Sequence, residues 1–402
     1  MIKRHLQSVL ESSASLFPVL TLTGPRQSGK TTLAKATFTN AHYVSLEDPA
    51  HRNLALEDAK GFLRQFGTDQ VILDEVQRMP DLFSHIQGIV DQNDLSGQYI
   101  LTGSQNFLLL ERISQSLAGR CAIHHLLPFS RSELLGNNPT DLEKIADLPA
   151  LPQKSKKKIA NELFDTIWTG GYPRIHDKHI PPQQWLANYV QTYIERDVRS
   201  IINVSDLETF TRFVRLCAGR TGQILNLQSL GNDCGIDSKT AKRWLSILET
   251  SFIIKLLKPY YKNFNKRLIK SPKLYFLDSG LICYLLGIHK SDELLMHSAR
   301  GAIFESWIVS ELYKSYYHTG KQPAMYYFRD SNNNEIDLIL DYGSKVIPIE
   351  IKSSQTINTE FFKGIEYWRK LTGLSKSPAA LIYGGDSPTI FKDTAVLPWH
   401  ML

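Results

Sequence analysis

Short apolar runs that end in polar residues recur along the first third of the chain and predict buried parallel strands. The first run covers residues 20–23 and is followed by a glycine-containing loop and a helix-like segment at 32–38. Two similar runs cover residues 70–73 and 98–102. Strands that alternate with loops and helices in this way are typical of an α/β domain with a parallel sheet.

The middle third changes to a helical pattern. Residues 137–159 contain three prolines and a lysine-rich run at 154–158, and we interpret them as an exposed connection. The lysine-rich run either contacts nucleic acid or forms a solvated surface, which is the commoner role of a charge run. Helical periodicity resumes at residue 160 and continues to 201, which predicts a helical bridge.

Further along, residues 227–234 and 238–250 predict two short helices around a glycine-containing turn, the pattern of a helix-turn-helix. Strand-like runs at 252–257 and 273–277 would add the wing of a winged helix. On the second helix, the residues expected to face outward and bind nucleic acid are Lys239, Lys242 and Arg243.

Basic and aromatic residues are interleaved in the proposed wing. Seven Lys or Arg residues and no acidic residue lie between Glu249 and Asp278. The aromatic residues among them include Tyr260, Tyr261 and Phe264. Cations mixed with aromatic rings favour phosphate contacts together with base stacking. The alternative is a protein-contact module whose cations are only solvated.

Composition narrows the class of protein. The 402 residues suggest two or three domains, and a hydrophobic content of 42% with 21% charged residues argues against a wholly disordered chain. Four widely separated cysteines argue against a zinc module or a disulfide framework. No apolar run reaches the length of a membrane helix, and the first residues lack a signal-peptide pattern. We therefore expect a cytoplasmic protein with no membrane partner. The net charge of +6 is informative only where basic residues cluster.

The loop after the first strand has the spacing G-x-x-x-x-G-K-[ST], the pattern of a phosphate-binding loop. Its glycines let backbone N–H groups turn inward to phosphate oxygens, and the following helix N-terminus adds positive potential. Lys30 would reach the β- and γ-phosphates, and the Thr31 hydroxyl would bind Mg²⁺. A glycine-rich turn that carries a lysine is the alternative. The nine residues of the loop are Gly24, Pro25, Arg26, Gln27, Ser28, Gly29, Lys30, Thr31 and Thr32.

Polar residues follow the next two strands as well. Asp74 would hold Mg²⁺ through water, and Glu75 would orient and deprotonate the attacking water. Two solvated acids in a turn are the alternative. After the third strand, Ser104, or else Asn106, would sense the γ-phosphate. The first third therefore predicts ATP and Mg²⁺ as ligands.

The last third predicts a helix that begins near residue 302 and a set of strands joined by polar turns. Glu350 and Lys352 share one face of a strand, because side chains alternate, and Asp337 lies one hairpin away. Two carboxylates beside a lysine suit metal-assisted phosphodiester hydrolysis. Asp337 and Glu350 would bind Mg²⁺ or Mn²⁺, and Lys352 would position or activate the water. Glu305 from the helix would complete the acid cluster.

The nucleotide motifs resemble the core of AAA-type ATPases. A closer resemblance, over nearly the whole chain, is to a large group of bacterial and archaeal proteins that pair this core with a C-terminal domain of unknown function. It rests on residues 24–31, 73–77, 101–104, 116–120, 127–134 and 170–173. The resemblance implies that Arg120 is a transition-state arginine, acting within its own chain or on a neighbouring subunit. A structural arginine paired with a local carboxylate is the alternative.

The pattern of Asp337 followed by Glu350-Ile351-Lys352 resembles the restriction-endonuclease-like nuclease superfamily. This resemblance spans residues 300–380 and implies a nuclease-like α/β fold. Its acidic residues would either cleave nucleic acid or serve only structure or DNA holding.

Together these observations predict four segments. They are an AAA-like P-loop core with a parallel sheet at 1–136, a linker and helical bridge at 137–205, a winged-helix-like domain at 206–285, and a restriction-endonuclease-like α/β domain at 286–402. The expected function is Mg²⁺-dependent ATP hydrolysis coupled to a DNA-binding, nuclease-like C-terminal region. One alternative is an ATP-switched DNA- or protein-binding module with a catalytically silent nuclease-like scaffold. Another is a signalling ATPase that acts through protein partners. A homo-oligomer is compatible with each.

Overall fold

The computed structural model of the chain describes residues 2–93, 95–104, 113, 115–150, 162–198, 207–261, 269–375 and 377–402. Three features singled out in the sequence lie outside these ranges, namely Asn106, Phe264 and the lysine-rich run at 154–158. Within them, no helix combines the length and the apolar character that crossing a membrane requires.

A parallel sheet organises the first third of the molecule. Its strands are β1 (Val19–Thr23), β2 (His42–Ser45), β3 (Val71–Asp74), β4 (Tyr99–Gly103) and β5 (Cys121–His125). They are hydrogen-bonded in the order β2-β3-β4-β1-β5, and every pair is parallel. All positions of β1, β3 and β4 are buried, which explains their continuous apolar runs. The N-terminal parallel sheet expected from the sequence is thus confirmed.

Helices cover both faces of this sheet. Those in the described residues are α1 (Leu6–Ala14), α2 (Lys30–Thr37), α3 (Pro49–Glu57), α4 (Ala59–Arg64), α5 (Leu82–Val90) and α6 (Arg131–Leu134), with a 3-10 turn at Val76–Arg78. Successive strand residues pack into two separate apolar clusters. Ile72 belongs to the cluster that contains Leu33, whereas Leu73 belongs to the cluster that contains Phe83. This alternation places one cluster on each face of the sheet.

The middle of the chain is helical and ends in a small hairpin. Its elements are a 3-10 helix (Leu142–Ala150), α7 (Glu162–Thr169), α8 (Pro173–Asp177), α9 (Pro182–Tyr189), a π-helix (Val190–Val198), α10 (Leu207–Gly219), α11 (Leu227–Cys234), α12 (Ser238–Thr250), β6 (Ile254–Leu257), β7 (Lys273–Phe276) and α13 (Ser279–Leu285). The helices α11 and α12 have the predicted bounds, and Asp237 caps α12 by accepting the N–H of Thr240 at 2.9 Å. The strands β6 and β7 pair in an antiparallel manner.

A mixed six-stranded sheet forms the last third. The elements here are α14 (Ser291–Met296), α15 (Arg300–His318), β8 (Met325–Arg329), β9 (Glu335–Asp341), β10 (Val346–Lys352), a 3-10 turn (Thr359–Phe362), α16 (Lys363–Thr372), β11 (Ala380–Tyr383), β12 (Thr389–Phe391), β13 (Thr394–Pro398) and a terminal 3-10 turn (Trp399–Met401). The strand order is β12-β13-β11-β10-β9-β8. The strands β8, β9 and β10 are antiparallel, as the polar turns predict, whereas β11 runs parallel to β10.

The helix α15 contacts all three parts of the molecule. Near its start, Glu305 accepts a hydrogen bond from the hydroxyl of Tyr275 in β7 at 2.5 Å. Near its end, the buried His318 Nδ1 lies 3.2 Å from Glu133 Oε2 in α6. Glu133 also pairs with Arg4 at 3.0 Å, and Arg4 donates to the backbone oxygen of Ser28 at 3.0 Å. This buried chain of contacts connects the C-terminal helix to the loop that follows β1.

Candidate functional site

The loop between β1 and α2 adopts a backbone path that requires glycine at two positions. Gly24 has φ +153°, and a Cβ there would overlap the backbone oxygen of Leu126. Gly29 has φ +94° and forms the N-cap of α2. The loop therefore has the strand-to-helix setting that the sequence predicts for a phosphate-binding loop.

Lys30 folds back into this loop. Its buried Nζ donates to the backbone oxygens of Gly24 at 3.1 Å and Pro25 at 2.9 Å. Burial lowers the pKa of Lys30 to about 8, although the carboxylates of Glu75 and Asp74 act in the opposite direction. The neighbouring Ser28 Oγ is buried and has no hydrogen-bond partner among the described residues. A cation and an unsatisfied hydroxyl in one loop fit a phosphate group.

Asp74 is the last residue of β3, and hydroxyl groups from three other residues surround its carboxylate. Thr31 Oγ1 donates to both of its carboxylate oxygens at 3.1 Å, and the Tyr43 hydroxyl donates at 2.9 Å. Thr102 in β4 donates to the same carboxylate. A buried carboxylate beside a threonine hydroxyl is an oxygen-donor set of the kind that Mg²⁺ prefers, so Thr31 and Asp74 fit the predicted ion.

Glu75, the next residue, has a left-handed backbone with φ 57°. Its Oε2 accepts hydrogen bonds from Ser104 Oγ at 3.1 Å and from Gln77 Nε2 at 2.5 Å. The structure therefore brings Ser104 to Glu75. The role of Ser104 as a sensor of the γ-phosphate stays a prediction.

These residues surround a cavity of about 530 Å³. Its lining includes Asp74 and Glu75, together with the loop residues Arg26, Gln27, Gly29, Lys30, Thr31 and Thr32. The opposite wall belongs to the helical middle of the chain and includes Pro173, Arg174, Asp177, Lys178, Tyr189 and Tyr193. The cavity thus lies between the parallel sheet and the helices that follow it, where α/β folds bind ligands.

Arg174 in this wall is a residue that the sequence analysis missed. It is exposed, and its guanidinium makes no ion pair or hydrogen bond within the described part of the chain. The signal for it in the sequence is the stretch at 170–173, which immediately precedes it and carries part of the resemblance to the ATPase group.

Arg120, by contrast, is not among the residues that line the cavity. It pairs with Asp91 through two hydrogen bonds, one of them from Nη2 at 3.0 Å, and it also donates to the backbone oxygen of Ala118 at 3.1 Å. This geometry agrees with a structural arginine and gives Arg120 no contact with the site of its own chain. Action on a neighbouring subunit stays a prediction.

The three residues predicted to bind nucleic acid are placed on one surface. Lys239, Lys242 and Arg243 are exposed on α12. Ala241 and Trp244 are buried on the other side of the same helix.

Among the described residues of the hairpin, however, three of those predicted for the basic surface are taken up by other contacts. Tyr260 is buried, and its ring packs 5.7 Å from Trp368 in the C-terminal part. Lys255 pairs with Glu249 at 3.0 Å, and Lys273 is buried. These side chains were misassigned to a nucleic-acid surface because their partners are distant in the sequence or lie across a turn.

A second constellation lies on β9 and β10. Lys352 Nζ lies 2.9 Å from Asp337 Oδ2 and 2.8 Å from Glu350 Oε2, and the backbone N–H of Ile351 donates to Asp337 at 2.9 Å. Burial acts to raise the pKa of Asp337, but Lys352 and Lys273 outweigh it and lower that pKa to about 2. Burial and the neighbouring Asp337 raise the pKa of Glu350 well above its usual value. The structure thus brings Asp337, Glu350 and Lys352 together as predicted.

Glu305 reaches the same cluster from α15 through Lys273, which also faces Asp337. It contacts Lys273 Nζ at 3.3 Å and the hydroxyl of Tyr275, both on β7. Across the described residues, no group of three or more His, Cys, Asp or Glu side chains is arranged to hold a metal ion. The predicted metal-binding set of Glu305, Asp337 and Glu350 is therefore not assembled. Glu305 and Asp337 both face Lys273, and Asp337 and Glu350 both contact Lys352. We call Glu305, Glu335, Asp337 and Glu350 the acidic cluster.

Comparisons with known proteins address the N-terminal site. Residues 16–135 match a family model described as an AAA domain. This match supports an AAA-type ATPase. Residues 160–292 match a domain of unknown function (DUF8612), and residues 300–402 match another (DUF4143). Because the C-terminal match carries no stated activity, the nuclease-like fold stays a prediction.

Relatives cover almost the whole chain. It is 27% identical over 405 residues to the uncharacterized proteins Rv2008c of Mycobacterium tuberculosis and Mb2031c of Mycobacterium bovis, covering 98% of this chain and 82% of each relative. Among solved structures, it is similar to the Walker-type ATPase PABY2304 of Pyrococcus abyssi, with 14% identity, a TM-score of 0.45, and 71% of this chain and 96% of that chain covered. It is also similar to AMPPCP-bound DnaA from Aquifex aeolicus, with 15% identity, a TM-score of 0.28, and 61% and 85% covered.

Proposed function

We propose that the chain binds ATP with Mg²⁺ in the cavity beside β1 and hydrolyses it. The observation that carries this proposal is the convergence of Lys30, Thr31, Asp74 and Glu75 on one cavity of about 530 Å³. These are the residue types that phosphoryl transfer to water needs, because the protein must bind phosphate, hold a metal ion and orient a water molecule.

Each residue has a separate task in this proposal. Lys30 and the loop N–H groups bind the β- and γ-phosphates, while Thr31 and Asp74 hold the metal ion. A Mg²⁺ ion held by these two residues would neutralise part of the phosphate charge. Glu75 orients the attacking water and accepts its proton, and Ser104 keeps that carboxylate in place. Arg174 approaches the phosphates from the helical wall.

ATP turnover by the purified full chain, together with the binding of a fluorescent ATP analogue, tests this proposal. We expect turnover in the wild type that EDTA abolishes, loss of nucleotide binding in Lys30→Ala, and retained binding without turnover in Glu75→Gln. Unchanged binding in Lys30→Ala would overturn the site. Turnover retained in Glu75→Gln would overturn the role of Glu75 alone.

We further propose that the output of the ATPase concerns DNA. The exposed cations Lys239, Lys242 and Arg243 on the second helix of a helix-turn-helix support this idea. Removing all three positive charges should weaken DNA binding and reduce its salt dependence, because fewer counterions are released. The matched control replaces Lys60, an exposed lysine on α4. Equal DNA affinity in the triple variant and the wild type would argue for protein partners instead.

The assembly of Asp337, Glu350 and Lys352 supports a nuclease-like role for the C-terminal part. Incubation with plasmid and single-stranded DNA in Mg²⁺ or Mn²⁺, with and without ATP, tests whether this part cleaves. Cleavage that disappears in Asp337→Ala would identify a nuclease. Intact ATPase activity without cleavage under any condition would favour the catalytically silent scaffold.

A further inference from the structure

A lysine from the middle of the chain enters the acidic cluster. Lys273 is the first residue of β7, and its side chain is only 3% exposed. Its Nζ lies 3.3 Å from Glu305 Oε1 and 4.0 Å from Asp337 Oδ1, and it also forms an ion pair with Glu335. Neither the ATPase roles nor the nuclease-like roles assigned above use this lysine.

Two lysine ammonium groups, those of Lys273 and Lys352, therefore contact different carboxylate oxygens of the acidic cluster. The two carboxylate oxygens of Asp337 face different lysines, since Oδ2 contacts Lys352 and Oδ1 faces Lys273. Glu350 is also enclosed, because a Cβ on Gly364 would overlap its Oε1. The oxygens that would bind a metal ion are thus turned towards cations or covered by backbone.

The backbone holds Lys273 in this position. The strand β7 pairs with β6, and Leu274 exchanges backbone hydrogen bonds with the segment before α11, accepting from Gly222 at 2.7 Å and donating to Gln223 at 3.0 Å. Tyr275, two residues along the strand, donates its hydroxyl to Glu305. The hydrogen bonds of β7 therefore fix the main chain of Lys273 beside the acidic cluster.

We propose that Lys273 is an internal counter-cation that keeps divalent metal ions out of the space between Glu305 and Asp337, the two carboxylates that its Nζ faces. A divalent ion placed between these carboxylates would be repelled by the ammonium group a few ångströms away in a buried environment. The inference rests on the proposed nuclease-like function and concerns its regulation.

Mn²⁺ binding to the nucleotide-free full chain, followed by electron paramagnetic resonance, tests the inference. We expect Lys273→Met to bind Mn²⁺ at an Asp337-dependent site at least about tenfold more tightly than the wild type does. Adding Asp337→Asn to this variant should remove this site. Lys255→Met is the matched control, because Lys255 lies on the same hairpin and pairs with Glu249 outside the cluster. It should bind Mn²⁺ as the wild type does.

Two results would overturn the inference, and they differ. If the wild type already binds Mn²⁺ at an Asp337-dependent site as tightly as Lys273→Met, the metal site exists but Lys273 does not exclude metal from it. If neither protein shows an Asp337-dependent site, the proposed metal site itself fails. Lys273→Gln serves as a second variant where the methionine variant does not fold, because its amide still donates hydrogen bonds to the carboxylates.

Discussion

Ser104 Oγ donates a 3.1 Å hydrogen bond to Glu75 Oε2, so that a side chain at the end of β4 holds the carboxylate that follows β3. Gln77 donates to the same oxygen. In the proposed hydrolysis, Oε2 is held from two sides, so Oε1 is the oxygen that would accept a proton from water. We therefore expect Ser104 to act as a positioning residue through Glu75.

The first prediction concerns this pair. Ser104→Ala should lower kcat for ATP about tenfold while KM changes little, because the loss of one hydrogen bond misorients Glu75 without removing a phosphate contact. Ser104→Thr, which keeps the hydroxyl, should restore most of the activity. Steady-state kinetics measure both. A rise in KM with unchanged kcat would show that Ser104 contributes to nucleotide binding instead.

The second prediction follows from the pKa of about 8 for Lys30 in the nucleotide-free protein. Below this pH Lys30 carries the charge that the phosphates require, and above it the folded protein must first take up a proton. ATP affinity should therefore be constant below about pH 8 and fall by up to about tenfold per pH unit above it. Titration with a fluorescent analogue at pH 7 and pH 9 measures the change. Lys30→Arg, which stays charged, should bind with equal affinity at the two pH values.

The third prediction separates two arginines. Arg174→Ala should lower kcat/KM for ATP at least about tenfold, because it removes a cation from the cavity wall. Arg120→Ala should leave turnover unchanged at low protein concentration, since Arg120 pairs with Asp91 away from the cavity. The rates of both variants should be compared across protein concentrations. A loss of activity in Arg120→Ala that appears only at high concentration would indicate action on a neighbouring subunit.

The fourth prediction concerns acid stability. The His125 ring lies 5.5 Å from Phe252 and 4.9 Å from Tyr317, and burial lowers its pKa to about 4. The folded protein keeps His125 neutral, whereas the unfolded chain binds its proton near pH 6.5. The free energy of unfolding should therefore fall from about pH 6.5 to about pH 4, by about 2 kcal/mol between pH 7 and pH 5 from this group.

Denaturant unfolding of the wild type and His125→Gln at both pH values measures this contribution. The glutamine variant cannot bind the proton, so its loss of stability between the two pH values should be smaller by that amount. His85→Gln, at an exposed position on α5, is the control and should show the wild-type pH dependence. An equal loss in His125→Gln and the wild type would contradict the prediction.

The sequence predicts those parts of the sites whose geometry is local. The spacing from Gly24 to Thr31 forms one strand-loop-helix turn, and Asp74 ends the next buried strand, so both can be found from neighbouring residues. Asp337 and Lys352 meet because a single hairpin joins their strands. In each case the alternation of side chains along a strand, or a single turn between neighbouring elements, determines which residues are close.

The remaining contacts depend on packing between distant segments. Lys273 reaches Asp337 only because the middle hairpin packs against α15, and no periodicity relates the two positions. Arg174 lines the cavity because α8 folds back over the loop after β1. For the same reason the sequence misassigned Tyr260, whose core neighbour Trp368 lies in another part of the chain.

Because the helix α15 contacts both the ATPase part and the C-terminal part, the chain cannot be cut into two independently stable fragments before this helix. Its last turn supplies His318 to Glu133, which is buried and shares that contact with Arg4 and the loop after β1. A fragment that ends before residue 300 would remove the His318 ring from this buried glutamate, leave Arg4 as its ion-pair partner and uncover the apolar surface that α15 protects. The ATPase part and the C-terminal part should therefore unfold in one cooperative step, and proteolysis between them should destabilise both.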